Sequence, residues 1–106
     1  MTTLAIPATK ILVAGHVTMK RYEGKMKEYR NEQGQLHRAN GPAIEYANGG
    51  KEWYLNGKRH RTDGPAVEYA DGYKAWYLNG QRHRTDGPAV EYADGSKEWY
   101  LNDQRH

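Results

Sequence analysis

One unit of 23 residues recurs along this chain, and that period constrains the fold more than any other feature. Gly41-Pro42, Gly64-Pro65 and Gly87-Pro88 are spaced by 23 residues, as are Trp53, Trp76 and Trp99, and the series His37, His60, His83 and His106. The middle copy runs from Gly64 to Asp86, and its neighbours differ from it at few positions. A short fixed period means that one supersecondary unit stacks on itself, each copy covering its neighbour's apolar surface.

Within the middle copy, Pro65 to Tyr69 is a β-favouring run that leads into Asp71-Gly72. That dipeptide suits the φ > 0 angles of a two-residue type I′ turn. Lys74 to Leu78 reads as the returning strand, Asn79-Gly80 as a second turn signal, and Gln81 to Asp86 as a polar connection. No helical periodicity is present. We therefore expect an all-β fold: tandem 23-residue β-hairpin repeats forming a twisted antiparallel single sheet or β-solenoid. The expected domain is single, 1–106, with an N-terminal cap over 1–27, a degenerate half repeat over 28–40, and repeats over 41–63, 64–86 and 87–106. In the first segment, Val17 to Tyr22 and Lys25 to Arg30 are expected to form an extra hairpin about Glu23-Gly24.

A two-residue Asp71-Gly72 turn would place Tyr69 opposite Lys74, Glu68 opposite Ala75 and Val67 opposite Trp76. Alternation then gives a candidate buried face (Pro65, Val67, Tyr69, Trp76, Leu78) and a candidate displayed face (Ala66, Glu68, Ala75, Tyr77, Asn79). The displayed face would carry Glu45 opposite Glu52 and Glu91 opposite Glu98, like charges across a pair. With Glu68, Tyr54, Tyr73, Tyr77 and Tyr100 these form an acidic, tyrosine-lined strip suited to a basic partner. Arg38, Arg59, Arg61, Arg82, Arg84 and Arg105 recur beside the histidines and read as a basic rim. The final strand, Lys97 to Leu101, is expected at an open sheet edge, where another chain can pair. A homodimer follows as a second expectation.

Composition removes several alternatives. The 106 residues contain no Cys, so neither a disulfide framework nor a thiolate metal site is available. Phe is absent, and nine Tyr and three Trp supply the aromatic bulk, as suits half-wet sheet faces. The formal net charge of +3 is too small to point to nucleic acid by itself. Ile11 to Ala14 is too short to span a membrane, and Lys10 interrupts any signal-peptide layout, so a soluble, cytoplasmic protein is expected. No metal or cofactor is expected. Equivalent histidines two strands apart lie about 10 Å from one another, whereas zinc ligands sit about 2.0–2.3 Å from the ion. Within a repeat, His60 and Asp63, or His83 and Asp86, can instead brace the loop. Ser96 is the only serine, which excludes a serine triad. A ladder spreads like groups along a surface, whereas an active site gathers unlike groups at one point, so we expect no enzyme.

The 23-residue period, the Tyr-Ala-Asp-Gly turn and the Asn-Gly-x-Arg-His ending resemble MORN repeats. The MORN-variant repeats of bacterial and phage proteins are closer still. They share the HRxDGPAxEY pattern found here at His60 to Tyr69 and the WYxNG pattern at Trp76 to Gly80. The match covers roughly residues 28–106. The resemblance implies a MORN-like hairpin scaffold that binds rather than catalyses. Some bacterial members resemble antitoxin or immunity components, and phage versions look like accessory proteins that inhibit host defence. The leading expectation is therefore a small phage or bacterial inhibitor or antitoxin that occludes a partner protein, such as a nuclease or defence-system component. Binding of nucleic acid or anionic membrane through the arginine rim stands second, and a structural scaffold subunit third.

Overall fold

The computed structural model describes residues 10–13, 16–23 and 26–105, with side chains described over 26–105. Residues 1–9, which belong to the expected cap, lie outside the described residues. Among the described residues all elements are β-strands, and most join one antiparallel sheet. Its strands are β1 (Lys10–Val13), β2 (His16–Glu23), β3 (Met26–Arg30), β4 (Ile44–Glu45), β5 (Lys51–Glu52), β8 (Val67–Glu68), β9 (Lys74–Ala75), β12 (Val90–Glu91) and β13 (Lys97–Glu98), adjacent in that order. Three small hairpins complete the fold: β6 (Tyr54–Leu55) with β7 (Lys58–Arg59), β10 (Tyr77–Leu78) with β11 (Gln81–Arg82), and β14 (Tyr100–Leu101) with β15 (Gln104–Arg105). The extents are 49 × 29 × 18 Å. The slab is long and thin.

The hairpin expected in the N-terminal segment is present as β2 and β3, with Tyr22 paired to Lys27. The aliphatic run Ile11–Val13 adds β1 outside it.

Each repeat contains two hairpins rather than a hairpin and a loop, and their turns differ in kind. At the first turn, Tyr69 N–H donates to Tyr73 O (2.9 Å) and Gly72 N–H to Tyr69 O (3.0 Å), leaving a three-residue loop, Ala70-Asp71-Gly72. Only Gly72 (φ +103°) is left-handed there, and Asp71 Oδ1 accepts from Tyr73 N–H at 3.0 Å. This is a type I turn followed by a glycine bulge, not a two-residue type I′ turn. The type I′ turn lies at Asn79-Gly80, where both residues have positive φ (51° and 83°). It returns Gln81-Arg82 as a strand, so the segment read as a polar connection is half strand. The strand read as Lys74 to Leu78 is divided at Trp76, whose N–H donates to Ala89 O of the next repeat (2.8 Å).

The extra loop residue shifts the pairing by one place and turns the returning strand over. Glu68 pairs with Lys74 and Val67 with Ala75, in place of the expected partners. Val67, Tyr69, Ala75 and Tyr77 therefore share one face, which we call the tyrosine face. Ala66, Glu68, Trp76 and Leu78 share the other, the tryptophan face. The expected like-charge pairs do not form. Glu45 pairs with Lys51 and Glu91 with Lys97, while Glu52 and Glu98 pair with Ile44 and Val90. Across the sheet the order runs Lys27, Glu45, Lys51, Glu68, Lys74, Glu91, Lys97, alternating in sign at every step. Opposite charges facing across a strand pair favour this register.

The core is thin. Ala43, Ala66, Ala75 and Ala89 are fully buried, Val67 and Val90 nearly so, with Tyr73 and Tyr77 packed against them. Of these, Ala43, Ala66 and Ala89 recur at the 23-residue period, so the same small residue is buried in each copy.

Candidate functional site

The residues expected to form one acidic, tyrosine-lined strip divide between the two faces. Glu45, Glu68 and Glu91 lie in the alternating row on the tryptophan face. Glu52, Tyr54, Tyr73, Tyr77, Glu98 and Tyr100 lie on the tyrosine face. The arginines divide in the same way: Arg59, Arg82 and Arg105 go with the tyrosines, Arg38, Arg61 and Arg84 with Tyr29 and the tryptophans.

On the tyrosine face, Glu52 is 3 % exposed, and its carboxylate is enclosed by donors. Tyr46 Oη (2.9 Å) and Tyr69 Oη (2.7 Å) donate to Oε2, while Tyr54 Oη (2.9 Å) and Arg59 Nη2 (3.3 Å) donate to Oε1. Burial alone would raise the carboxyl pKa, but the bonds from Tyr69, Tyr54 and Tyr46 and the Arg59 charge outweigh it and hold the group below its usual value. Burial, and donation to Glu52, push Tyr46 up to about 12 and raise Tyr69 and Tyr54 as well. In the third repeat Glu98 accepts from Tyr100 Oη at 3.0 Å, with Arg105 at 3.7 Å.

The middle repeat solves the same position differently. Ala75 stands where the flanking copies have Glu52 and Glu98, and Tyr73 stands where they have Gly50 and Ser96. The Tyr73 ring stacks on Tyr69 (centroids 5.5 Å) and tilts against Tyr92 (5.6 Å). With the Tyr46–Tyr69 contact at 6.2 Å, a row Tyr46, Tyr69, Tyr73, Tyr92 crosses the sheet. Tyr69 and Tyr92 are each 38 % exposed. The sequence carried a signal for this row, since Tyr46, Tyr69 and Tyr92 share the period, but the expected register did not single them out.

On the tryptophan face each arginine lies on the aromatic ring of its own unit: Arg38 on Tyr29 (4.0 Å), Arg61 on Trp53 (3.8 Å) and Arg84 on Trp76 (3.9 Å). A Cβ on Gly64 would meet the Arg61 guanidinium at 2.9 Å, and one on Gly87 the Arg84 guanidinium at 2.8 Å. The glycine of each Gly-Pro opening therefore serves close approach of the guanidinium. Arg61 also binds Asp63 (3.0 Å), Glu68 (3.0 Å) and Pro65 O (3.0 Å), and Arg84 repeats the set with Asp86, Glu91 and Pro88 O. Arg38 binds Glu45 (3.1 Å), and Arg82 binds Asp103 (2.9 Å). Each of the six arginines of the expected rim thus has a carboxylate within 4 Å.

The histidines link repeats. His37, His60 and His83 Nδ1 accept from the backbone N–H of Asn56, Asn79 and Asn102, at 2.9, 3.0 and 3.1 Å. The expected His–Asp brace is replaced by this contact, because Asp63 and Asp86 are held by arginines. Among the described residues no three His, Asp or Glu side chains are grouped to hold a metal ion, and no helix is long and apolar enough to cross a membrane.

Fold and surface together define a tandem β-hairpin repeat protein with a ladder of aromatic groups on each face. No protein-family model, curated protein or solved structure matches the chain.

Proposed function

We propose that this chain is a non-enzymatic protein-binding module of the MORN-variant kind, a small phage or bacterial inhibitor or antitoxin that works in the cytoplasm by covering a partner's surface. The observation that carries the reading is the row Tyr46, Tyr69, Tyr73, Tyr92, with neighbouring rings 5.5–6.2 Å apart and two of them substantially exposed. Rigid aromatic side chains with a polar tip supply contact area at low entropic cost and are enriched at interface hot spots. Arginine and lysine side chains of a basic partner, such as a nuclease groove or a defence-system component, fit over tyrosine faces by cation–π attraction. Glu52 and Glu98 would then act from behind the rings rather than by direct contact.

The ion pairs made by all six rim arginines weigh against the second reading, binding of phosphate-bearing nucleic acid or membrane, because each of these cations already has a carboxylate partner with which a phosphate would compete. Affinity capture from a bacterial lysate with the wild-type chain and with Tyr69→Ser/Tyr92→Ser tests the choice. Loss of a captured protein in the folded double variant supports the tyrosine face. Capture that is unaffected by the variant, or that is replaced by nucleic acid dissociating steeply with salt, overturns it. Edge pairing through β13 is a further protein-binding mode, for which light scattering at high concentration, showing a monomer, is the negative result.

A further inference from the structure

The tryptophan face carries two equivalent clefts that the tyrosine reading does not use. One, of about 500 Å³, is lined by Pro42, Trp53, Leu55 and His60 between the Arg38 and Arg61 loops. The other, of about 510 Å³, is lined by Pro65, Trp76, Leu78 and His83 between the Arg61 and Arg84 loops. A ridge at Arg61, Thr62 and Asp63 borders both.

Three properties define what fits them. The first is spacing. Equivalent positions lie two interstrand steps apart (β5 to β8 to β9), so the clefts recur about every 9.6 Å. A polyproline II helix rises about 3.1 Å per residue with three residues per turn, so every third side chain returns to the same side after about 9.3 Å. A β-strand ligand laid along the same row would present same-side residues about every 6.7 Å and fall out of step. The second is charge. Every arginine bordering the clefts is paired, Arg38 with Glu45, Arg61 with Asp63 and Glu68, and Arg84 with Asp86 and Glu91, which leaves no unpaired guanidinium to select an acidic ligand over an aromatic floor. The third is donors. Because His60 and His83 accept at Nδ1, their neutral rings carry the proton on Nε2. Neither these Nε2–H groups nor the Trp53 and Trp76 indole N–H groups donate a hydrogen bond within the described residues. A polyproline II backbone has no internal hydrogen bonds, so its carbonyls are free to accept them.

We propose that the Trp53 and Trp76 clefts together bind one proline-rich segment of a partner protein in the polyproline II conformation, one cleft for every three ligand residues. The site lies on the face opposite the tyrosine row and stands or falls separately from it.

The test is an NMR and tryptophan-fluorescence titration of the full chain with an end-blocked oligoproline of about nine residues, roughly 28 Å long at the polyproline II rise. The control is a Gly-Ser peptide of equal length. Saturable shifts of the Trp53 and Trp76 indole N–H and of the His60 and His83 rings are expected, with no response to Gly-Ser. Thr62 is exposed and borders both clefts, so Thr62→Arg blocks them without touching the core and is expected to weaken binding at least about tenfold, as when two linked contacts are lost. No saturable shift at millimolar peptide, equal binding of the Gly-Ser control, shifts confined to the tyrosine row, or unchanged affinity in Thr62→Arg each overturns the proposal. Tyr69→Ser/Tyr92→Ser is expected to leave the oligoproline titration unaltered, which keeps failure of this inference distinct from failure of the tyrosine-face reading.

Discussion

Replacing Glu52 with Ala removes the acceptor for three phenols and the partner of Arg59 in one step. Breaking a buried charge pair from one side costs about 3–5 kcal/mol. Tyr69 is partly open to solvent and can turn its hydroxyl to water, so the lower end, about 3 kcal/mol, is expected. The middle repeat shows how the chain tolerates alanine here, with a tyrosine two residues earlier. Gly50→Tyr on its own is expected to destabilise by about 1–3 kcal/mol, because Glu52 already fills the site. Its Cβ meets Asn48 Oδ1 at 3.2 Å and the Tyr46 ring at 3.3 Å, contacts that these side chains can relieve by small shifts. Combined with Glu52→Ala, the new ring gains the stacking that Tyr73 makes with Tyr69, worth about 0.5–1.5 kcal/mol beyond its area. The effect of Gly50→Tyr therefore changes sign between the two backgrounds, giving a favourable coupling of about 1.5–4.5 kcal/mol. Equilibrium urea unfolding of the four proteins measures this directly. A coupling within about 0.5 kcal/mol of zero, the range of independent sites, would refute the idea that Tyr73 and Ala75 replace the glutamate as a unit.

Acid unfolding carries the mark of the same carboxylate: since the Glu52 pKa is lowered on folding, its contribution is present above the unfolded value near 4.5 and is lost as pH falls through the folded one. Glu52→Gln should flatten that part of the pH–stability curve. At the alkaline end Tyr46 is raised from 10.0 to about 12, so its contribution is full below pH 10 and disappears between about 10 and 12; ultraviolet titration should find several late-ionising tyrosines, Tyr54 and Tyr69 among them, and Tyr46→Phe should lower their number by one. His83→Ala leaves Asn102 N–H without its acceptor at an exposed turn, for an expected loss of about 1 kcal/mol by urea unfolding. Gly87→Ala crowds the Arg84 guanidinium and should lift it from Trp76, seen as a shift in indole fluorescence.

The period and the turn residues made much of the fold legible. Repeated Gly-Pro, Asx-Gly and Asn-Gly signals mark chain reversals by backbone sterics, which are local. What they do not fix is loop length at an Asx-Gly turn. Asp71 can either join Gly72 in left-handed space or keep ordinary angles and brace Tyr73 N–H, and the two choices differ by one residue. That residue decided which side chains meet, turning a supposed strip of facing glutamates into an alternating Lys–Glu row and a buried carboxylate. The rim arginines divide between the faces in a way that sequence spacing does not reveal. Arg59 and Arg61 lie two residues apart and look equivalent in sequence, yet one reaches Glu52 and the other Trp53 on the opposite face. The Asn102-Asp103 turn illustrates the same limit. Asp103 keeps φ +65° without being glycine, and its carboxylate accepts from Arg82 N–H and Nε, 21 residues earlier.

By itself the sequence determined the architecture: an all-β array of stacked hairpins, each residue type forming a row along it. Backbone preference and periodicity act over a few residues, and a repeat copies them faithfully. The tertiary structure alone decided which row faces which way, which charges remain free, and where open aromatic surface lies. Those depend on register and on side chains reaching between repeats, interactions whose partners are 17 to 25 residues apart.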